Sequence, residues 1–422
     1  MRILIVSTSE RKGGAAVAAS RLVEALNNNG MRAQMLVRDK QTDAITVASV
    51  RPRWLMRWRF LYERWRIFCR LGFTRHNLFR IDTGQCGADI TRTMEFRQAD
   101  IIHLHWVSQG MLSLKDIRRI VKSGKPVVWT MHDIWPATGI CHLSLGCARF
   151  KTGCHHCPLL PGGGGDNDLA ARVWRRKREV VRNSHIHFVA CSEWLASEAR
   201  KSALLRDQTV STIPNPIDTR IYSPQDQAAA RRRLGLPEDK RIILFAAQRT
   251  DNRNKGLDYL YEAISLMVEQ QPDAPLALAV MGAAKEQMGR ELPAPVYSLG
   301  YLADHDSLVD AYNAADVFVL PSLSENLPNT IMEAMACGVP CVGFRVGGIP
   351  EMIDHQKNGY VARYRDSHDL AEGIRWTLFE ADRQQMGREA RQKVHACYSQ
   401  TTVALQYEDV YRQLLTYKQL SL

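Results

Sequence analysis

Two glutamates stand where a loop meets a predicted helix in the second half of the chain. Glu325 lies in the loop, and Glu333 lies eight positions later in a helix predicted over residues 329–336. Pro328 suits the opening turn of that helix, whose free amide groups would face an anion, while carboxylates accept hydrogen bonds from hydroxyl groups. These features indicate a pocket for a sugar diphosphate. The alternative is a solvated loop charge and an unrelated carboxylate on a helix face.

Two cations precede the glutamates, after the strand predicted over residues 242–246. Arg249 and Lys255, the latter followed by Gly256, lie at the edge where doubly wound sheets bind ligands. Cations held there would clamp a diphosphate and lower the barrier to its departure. A solvated basic loop is a fair explanation of either cation alone, but a weaker one for both beside the glutamates. Since these cations would neutralise the charge, we expect no catalytic metal. The Asp-His-Asp triplet at 304–306 is interpreted as a helix cap.

The first half carries a glycine pair and several histidines at strand ends. Gly13 and Gly14 follow the opening strand and precede a helix, so their backbone could approach a phosphate or an acceptor hydroxyl closely; a flexible turn is the alternative. The GxGxxG pattern of nicotinamide cofactors is absent. His132 ends the strand predicted over residues 127–131 and could hydrogen-bond a donor sugar, unless it is a structural histidine. His103 and His105, at the previous strand end, could border an acceptor.

Short apolar runs alternate with helical stretches along the whole chain, which is typical of parallel sheets. Two prolines interrupt this rhythm at residues 213–218, and 422 residues suffice for two cores. We therefore predict an α/β fold with two Rossmann-like, doubly wound domains. The predicted parts are an acceptor-side domain at residues 1–215, a nucleotide-sugar domain at 216–396 and a C-terminal helix at 397–422 that crosses back to the first domain.

The overall composition limits the partners and the compartment. With 45% hydrophobic and 24% charged residues the chain is globular rather than disordered, and its net charge of +12 favours an anionic partner. The apolar run at the N-terminus ends after Val6, too short for a signal peptide or a membrane span, so we expect a cytoplasmic protein. In that reducing setting ten cysteines predict metal binding rather than disulfides.

Four of the cysteines are clustered and end in a Cys-x-x-Cys knuckle; they are Cys141, Cys147, Cys154 and Cys157. Four thiolates at this spacing can form a closed tetrahedral shell, which predicts a structural zinc ion. An iron–sulfur cluster and free thiols are the alternatives, and His142, His155 or His156 could replace a thiol.

A basic, aromatic segment occupies residues 51–80. On a helix its apolar face would carry Trp54, Trp58 and Trp65, together with Leu61 and Phe68, and its flanks would carry Arg57, Arg59, Arg64 and Arg66. Tryptophan and arginine suit the surface of an anionic bilayer, so we predict peripheral binding at the inner face of the plasma membrane. A helix packed on its own domain and a nucleic-acid patch are the alternatives. Because no nucleic-acid motif accompanies the segment, we expect no nucleic acid.

Residues 242–361 resemble the C-terminal half of the retaining family 4 glycosyltransferases of the GT-B fold, in which two Rossmann-like domains face a central cleft. The matching features are the spacing from Arg249 to Lys255, the strand and loop at 315–322, the glutamate pair and the Gly-Gly-Ile-Pro-Glu run at 347–351. The resemblance implies a hexosyltransferase acting with retention of configuration. It also implies that Arg249 and Lys255 hold the diphosphate, Glu325 the donor sugar and Glu333 the ribose. The implied donor-binding set further contains Gly13, Gly14, Asn326 and Leu327.

The cysteine block, directly after residues 132–136, resembles a subgroup of family 4 enzymes of colanic acid and other exopolysaccharide assembly. This resemblance implies a saccharide or lipid-linked saccharide acceptor in the synthesis of a bacterial surface polysaccharide. The Asn-Pro-Ile-Asp at 215–218 departs from the family's commoner Asn-Gly-Val-Asp, which puts the shape of that loop in doubt. Two other functions stay open: a nucleotide-sugar epimerase on the same scaffold, and a zinc-bearing basic binding module.

Overall fold

The computed structural model of the chain describes residues 1–182, 184–249, 252–283 and 292–420. The chain divides into two compact units. Unit 1 contains Met1–Pro216 and Val403–Leu422, and unit 2 contains Ile217–Thr402. Among the described helices, none has both the length and the apolar character needed to cross a membrane.

Unit 1 is built on a seven-stranded parallel sheet in the described part of the chain, with the order β3-β2-β1-β4-β5-β6-β7. Its strands are β1 (Arg2–Ser9), β2 (Arg32–Asp39), β3 (Val47–Ser49), β4 (Ile101–Leu104), β5 (Val127–Met131), β6 (Ile186–Ala190) and β7 (Val210–Thr212). Its helices are α1 (Gly14–Asn28), α2 (Arg53–Arg70), α3 (Met94–Gln98), α4 (Leu114–Lys122), α5 (Leu169–Arg182) and α6 (Glu193–Arg200).

Both faces of this sheet are covered, which explains why its strands are continuous apolar runs rather than alternating ones. Leu4 and Ile102 belong to the core on one face, whereas Ile3 and Ile101 belong to the core on the other, because successive strand residues point to opposite faces.

Unit 2 repeats this design with a six-stranded parallel sheet in the described residues, in the order β10-β9-β8-β11-β12-β13. Its strands are β8 (Arg241–Arg249), β9 (Leu276–Ala283), β10 (Val296–Gly300), β11 (Val317–Leu320), β12 (Cys341–Phe344) and β13 (Gly359–Ala362). Its helices are α7 (Gln227–Leu234), α8 (Leu257–Gln270), α9 (His305–Ala314), α10 (Asn329–Ala336), α11 (Ile349–Met352), α12 (Ser367–Phe379) and α13 (Arg383–Tyr398).

The last helix, α14 (Gln400–Leu420), lies within the predicted range 397–422, and from Val403 onward it belongs to unit 1. Its Tyr411 hydroxyl lies 2.7 Å from Nδ1 of His103, whose Nε2 lies 2.7 Å from the Thr130 hydroxyl. Tyr407 completes the group at 2.8 Å from Thr130. His103 is fully buried inside β4 by these contacts. The prediction that His103 borders an acceptor is therefore wrong.

Two local predictions are confirmed at the ends of helices. Helix α10 spans the predicted residues 329–336 and has Pro328 at its N-cap. Asp304 caps α9, because its side chain accepts hydrogen bonds from the backbone N–H and the hydroxyl of Ser307 at 2.8 and 2.9 Å. The Asp-His-Asp triplet is thus a helix start, as interpreted from the sequence.

Candidate functional site

The sheet of unit 2 reverses its winding between the neighbouring strands β8 and β11. In an open parallel sheet, loops that leave the carboxyl ends of two such strands diverge and form a crevice in which ligands bind. The loop after β8 carries Lys255, and the loop after β11 carries Glu325. The residues that the sequence singled out in this half are therefore brought to one edge of one sheet.

Backbone contacts tie the three loops of this edge together. The N–H of Leu323 donates to the carbonyl of Asn254 at 2.8 Å, and the N–H of Gly348 donates to the carbonyl of Asn326 at 2.8 Å. Gly347 passes so close that a Cβ there would lie 1.7 Å from the carbonyl oxygen of Glu325. Gly256 is equally crowded, since a Cβ there would lie 1.9 Å from the carbonyl oxygen of Pro321. Only glycine permits these approaches.

Lys255 and Glu325 form an ion pair with 2.5 Å between Nζ and Oε1. The same Oε1 accepts a hydrogen bond from the Ser322 hydroxyl at 3.0 Å. The two side chains remain 27% and 14% exposed, so a ligand can reach them. A solvent-accessible pair of this kind contributes little to stability, which leaves its charges available for ligand binding.

Two helix N-termini open at this edge. Helix α8 begins after Gly256 and α10 begins after Pro328, and neither N-cap residue supplies a side-chain hydrogen bond. The first amide groups of a helix lack partners within the helix, and the helix dipole favours negative charge there. Together with Lys255, these termini form an environment suited to phosphate oxygens.

Glu333 lies on α10, the helix that begins at this edge. It is buried, and its Oε2 accepts a hydrogen bond from the Tyr312 hydroxyl at 2.6 Å. Burial, followed by the charge of Glu333, raises the pKa of Tyr312 well above its usual value, so the hydroxyl stays a donor. Sequence reasoning missed Tyr312, because no motif links a helix residue to a carboxylate 21 positions later.

The structure describes the other predicted site residues of unit 2 only in part. Arg249 ends the backbone of β8, but its side chain lies outside the described residues. Asn326 is half-buried, and Leu327 is buried in the turn that precedes α10.

In unit 1, Gly13 and Gly14 lie where the loop after β1 enters α1. Gly13 has φ 95°, in the left-handed region that favours glycine, and a Cβ there would meet no atom within 4 Å. Gly13 supplies no side-chain cap to α1. The loop that enters α1 therefore leaves space beside Gly13, and close backbone approach to a ligand stays a prediction.

His132 follows β5 and joins a chain of hydrogen-bonded side chains. Its Nε2 lies 2.8 Å from Nδ1 of His105, and its Nδ1 lies 3.5 Å from the Cys191 thiol. Burial lowers the pKa of His132 to about 4, although the neighbouring charge of Asp133 opposes the shift. His132 is therefore a neutral imidazole at physiological pH, suited to hydrogen bonding rather than to charge neutralisation.

Asp133 is the charged centre of this edge. It accepts hydrogen bonds from the Trp106 indole at 2.7 Å and from the backbone N–H of Trp135 at 2.8 Å, and its Oδ2 lies 2.8 Å from Nδ1 of His142. Burial alone would raise the pKa of Asp133, but His142 and the hydrogen bonds outweigh it and lower that pKa. Sequence reasoning missed Trp106 and this role of His142.

Helix α2 packs on unit 1 through Met56 and Ile67 and leaves its tryptophans outside. The exposed fractions of Trp54, Trp58 and Trp65 are 65%, 65% and 60%. The flanking Arg57 is exposed and Arg59 is half-buried.

One arginine that was predicted on the flank of the apolar face of α2 is buried instead. Arg64 is buried, with its guanidinium 2.8 Å from Asp82 and hydrogen-bonded to the carbonyls of Leu78 and Ile81. The prediction that Arg64 faces a membrane is wrong, because its side chain is buried in an ion pair with Asp82, which lies 18 residues later in the chain.

The four clustered cysteines lie in unit 1 on the segment that connects β5 to α5, and they are free thiols. Burial raises the pKa of Cys141, Cys154 and Cys157 to about 11 in each case, and the other thiols of the cluster also raise it. The thiols are therefore neighbours. Among the described residues, the group of metal-ligating atoms lying within 4.8 Å of one another belongs instead to His155, His156 and Asp166.

Two family models match the chain. The one described as Glycosyltransferase Family 4 matches residues 12–221, and the one described as Glycosyl transferases group 1 matches residues 240–379. A D-inositol 3-phosphate glycosyltransferase from Saccharomonospora viridis is 31% identical over 344 residues, which are 77% of this chain and 73% of that protein. The chain belongs to family 4 of the glycosyltransferases.

A second relative, the N-acetyl-alpha-D-glucosaminyl L-malate synthase of Bacillus anthracis, is 29% identical over 215 residues. These residues are 50% of this chain and 55% of that enzyme, so the chain spans about half the length of this relative.

Solved structures share the fold. Sucrose-phosphate synthase from Thermosynechococcus elongatus has a TM-score of 0.65 at 19% identity and covers 99% of this chain and all of its own. HepE of Anabaena in complex with UDP-glucose has a TM-score of 0.64 at 16% identity, with 98% of this chain and 100% of that chain covered. The predicted α/β fold of the GT-B type, with two Rossmann-like sheets, is confirmed.

Proposed function

We propose that this protein transfers a sugar from a nucleoside diphosphate donor to a saccharide acceptor. The observation that carries the proposal is the carboxyl edge of unit 2, where Lys255, Glu325 and two uncapped helix N-termini converge in a chain of glycosyltransferase family 4. The solved relative HepE binds UDP-glucose, and this supports a uridine nucleotide as one donor to test.

The donor's phosphates bind at the N-termini of α8 and α10 and to Lys255. When the sugar leaves, negative charge grows on the diphosphate, and a cation already in place stabilises it. Arg249, from the end of β8, supplies a second cation in this scheme. Because no metal is needed for neutralisation, transfer proceeds without a catalytic metal.

The carboxylates recognise hydroxyl groups of the donor. Glu325 accepts from the sugar once Lys255 turns toward phosphate, and Asn326 and Leu327 line the same turn. Glu333, held by Tyr312, accepts from the ribose. The resemblance to family 4 implies retention of configuration. Because no carboxylate is assigned as a nucleophile, we assign this transfer to internal return or to an ion pair rather than to a covalent intermediate.

Unit 1 supplies the acceptor side. The backbone at Gly13 and Gly14 approaches an acceptor hydroxyl. The neutral His132 hydrogen-bonds the transferred sugar through Nδ1, in place of its 3.5 Å contact with the Cys191 thiol. The acceptor is a saccharide, carried on a lipid in the synthesis of a bacterial surface polysaccharide.

The exposed face of α2 binds an anionic bilayer, which would keep a lipid-linked acceptor near at the inner face of the plasma membrane. Trp54, Trp58 and Trp65 are exposed apolar side chains, and Arg53, Arg57 and Arg66 beside them are exposed cations. Tryptophan prefers the interface of a membrane, and each arginine gains roughly 1 kcal/mol near anionic lipid.

The transfer proposal is tested by incubating the protein with UDP-, GDP- and ADP-sugars and measuring nucleotide release with and without saccharide acceptors. Lys255→Ala should lower kcat/KM for the active donor by about 10²–10³, the range seen for loss of one preorganised donor to a developing anion. Lys357→Ala removes an exposed lysine on the loop that enters β13, at the opposite edge of the sheet, and should leave kcat/KM unchanged. Equal kcat/KM for wild type and Lys255→Ala would refute the proposed site, and donor conversion without acceptor would indicate an epimerase.

The stereochemical part is tested on the product. Proton NMR of the new glycosidic bond should show the anomeric configuration of the donor, and the opposite configuration would exclude retention.

The membrane part is tested by flotation with phosphatidylglycerol vesicles. Changing Trp54, Trp58 and Trp65 to Ser should abolish flotation while leaving transfer to a soluble acceptor intact. Changing the exposed Tyr301 and Phe379 of unit 2 to Ser is the matched control. Unchanged flotation of the tryptophan variant would refute membrane binding by α2.

A further inference from the structure

The segment from Thr138 to Asp168 stands out in unit 1 because it is long and almost without regular structure. Within it, the structure has only two three-residue 3₁₀ turns, at Arg149–Lys151 and Pro161–Gly163. Loops of this length inside a compact domain are uncommon, because each ordered residue costs conformational entropy that few backbone hydrogen bonds offset. Ile140, Phe150 and Leu160 anchor the segment to the core of unit 1, and a bound ion would restrain the loops between them.

We propose that Cys141, Cys147, Cys154 and Cys157 bind one structural zinc ion that folds this segment. Four thiolates give zinc a closed tetrahedral shell and leave no position for substrate. In the structure the sulfurs are free and lie further apart than zinc requires, so coordination draws them inward. The irregular backbone of the segment permits this movement at little cost.

One independent observation is a hydrogen bond to sulfur. The backbone N–H of Gly139 donates to Sγ of Cys154 at 3.2 Å. A side chain at Gly139 would prevent this approach, since its Cβ would lie 2.7 Å from the carbonyl oxygen of Ala170 and 3.0 Å from Cβ of Cys154. An N–H aimed at a sulfur stabilises a thiolate more than a neutral thiol, as in the outer shells of metal sites.

A second observation is the buried lysine beside the cluster. Lys177 is 2% exposed, and its Nζ donates to the carbonyl oxygens of Trp135 at 2.5 Å and Thr138 at 3.1 Å. Thr138, which accepts one of these hydrogen bonds, also donates through its hydroxyl to the carbonyl oxygen of Cys141 at 2.8 Å. Nζ of Lys177 also lies 3.4 Å from the centroid of the Trp135 ring. An ammonium held by carbonyl groups and an aromatic ring is still costly to bury. A zinc ion with four thiolates carries a net charge of −2, and this charge would compensate the lysine.

The metal would also hold the Asp133 network in place. Cys141 is followed by His142, whose Nδ1 lies 2.8 Å from Asp133 and whose carbonyl accepts from the N–H of Ile134 at 3.2 Å. Fixing Cys141 thus fixes the two contacts that orient the turn after β5. This role is independent of the proposed sugar transfer, because it concerns metal content and local order alone.

The exposed group of His155, His156 and Asp166 is the competing metal site. Nε2 of His156 lies 2.8 Å from Asp166, and their side chains are 46% and 91% exposed. Surface groups of this kind bind zinc weakly, since they have few outer-shell partners.

The test is metal analysis of the full chain, purified under reducing conditions and then dialysed without metal. Wild type should retain about one equivalent of zinc, as expected for a closed thiolate site. Cys154→Ser should lose it. The matched controls Cys69→Ser and Cys397→Ser, which change half-buried cysteines outside the cluster, should keep it. Replacing His155 and His156 together by Ala should also keep it.

If Cys154→Ser does not fold, spectroscopy of the wild-type protein still tests the proposal. Cobalt exchanged into wild type should show the intense near-ultraviolet band of cobalt–thiolate bonds. Removing the metal with a chelator should make cleavage by trypsin within residues 138–168 about tenfold faster or more, because local opening becomes easier. Less than half an equivalent of zinc in wild type, an iron–sulfur spectrum, or metal lost on replacing the histidines but kept in Cys154→Ser would overturn the proposal.

Discussion

The carboxyl edges of the two sheets use the same topology but different chemistry. In unit 2 the edge is closed by backbone contacts at Gly256 and Gly347 and presents an accessible Lys255–Glu325 pair. In unit 1 the edge is closed by side chains, with His105 on His132 and Trp106 on Asp133. Backbone closure leaves the charged Lys255–Glu325 pair within reach of a ligand, whereas side-chain closure pairs polar groups with one another and leaves His132 half-buried.

This difference suits different ligands. A diphosphate needs cations and helix N-termini, and unit 2 offers Lys255 and the N-termini of α8 and α10. A sugar acceptor is neutral and is bound by hydrogen bonds and aromatic surfaces, which unit 1 offers. Two sheets with the same winding can therefore divide one reaction between them through the residues at their strand ends alone.

The largest expected effect tests the backbone closure. Gly347→Ala should lower the free energy of unfolding by about 3–4 kcal/mol, since the new Cβ collides with a backbone carbonyl and the loop must move. Gly13→Ala in unit 1 should cost only about 1–2 kcal/mol, from backbone strain without a collision. Urea unfolding of the two variants measures the difference, and equal losses would contradict the contrast between the edges.

The next effect concerns the buried carboxylates behind the edge of unit 1. Burial, together with the charge of Asp82 and against that of Arg64, raises the pKa of Glu63 to about 8. A carboxyl group that binds its proton more tightly when folded makes the free energy of unfolding fall as pH rises from about 4.5 to about 8. Glu63→Gln should flatten this fall in urea unfolding between pH 5 and pH 8. Glu24→Gln, on the exposed face of α1, should leave it as in wild type, and parallel curves for all three proteins would exclude Glu63 as the cause.

A smaller effect tests the side-chain closure. His105→Phe removes the group that holds Nε2 of His132, so kcat should fall by about tenfold while KM for the donor changes little. His105→Asn places a polar atom near the former Nδ1 and should recover part of the activity. If Asn and Phe at this position behave alike, the hydrogen bond does not orient His132.

The smallest effect concerns donor affinity in unit 2. Tyr312→Phe removes the hydroxyl that donates to Glu333, and KM for the donor should rise about fivefold, which corresponds to the roughly 1 kcal/mol net contribution of one typical hydrogen bond. Tyr301→Phe, at an exposed hydroxyl, is the control. A donor KM unaffected by Tyr312→Phe would separate Glu333 from donor binding.

Most of the fold was predictable because buried parallel strands are short apolar runs, and each βα unit is local in sequence. The positions of Lys255 and Glu325 followed from one further rule, that ligands bind at the carboxyl ends of strands. Helix α10 was predicted to the residue because Pro328 marks its start.

What failed depends on contacts between residues distant in the chain. The helical period of α2 cannot show that Arg64 meets Asp82, and the strand pattern cannot show that His103 meets Tyr411, 308 residues later. Tyr312 and Trp106 were missed for the same reason, since each acts through a partner on another element. The local hydrophobic period predicts which face of a helix or strand a residue occupies. It does not predict whether a residue distant in the sequence will form a buried contact with it.

The grouping of α14 with unit 1 has a consequence for how the chain is made. During synthesis, every residue of unit 2 leaves the ribosome before the tyrosines of α14 that complete the core beside β4 and β5. Unit 1, although it begins first, therefore keeps an open apolar face until α14 has been made. A chain truncated after residue 402 should expose that face to chaperones.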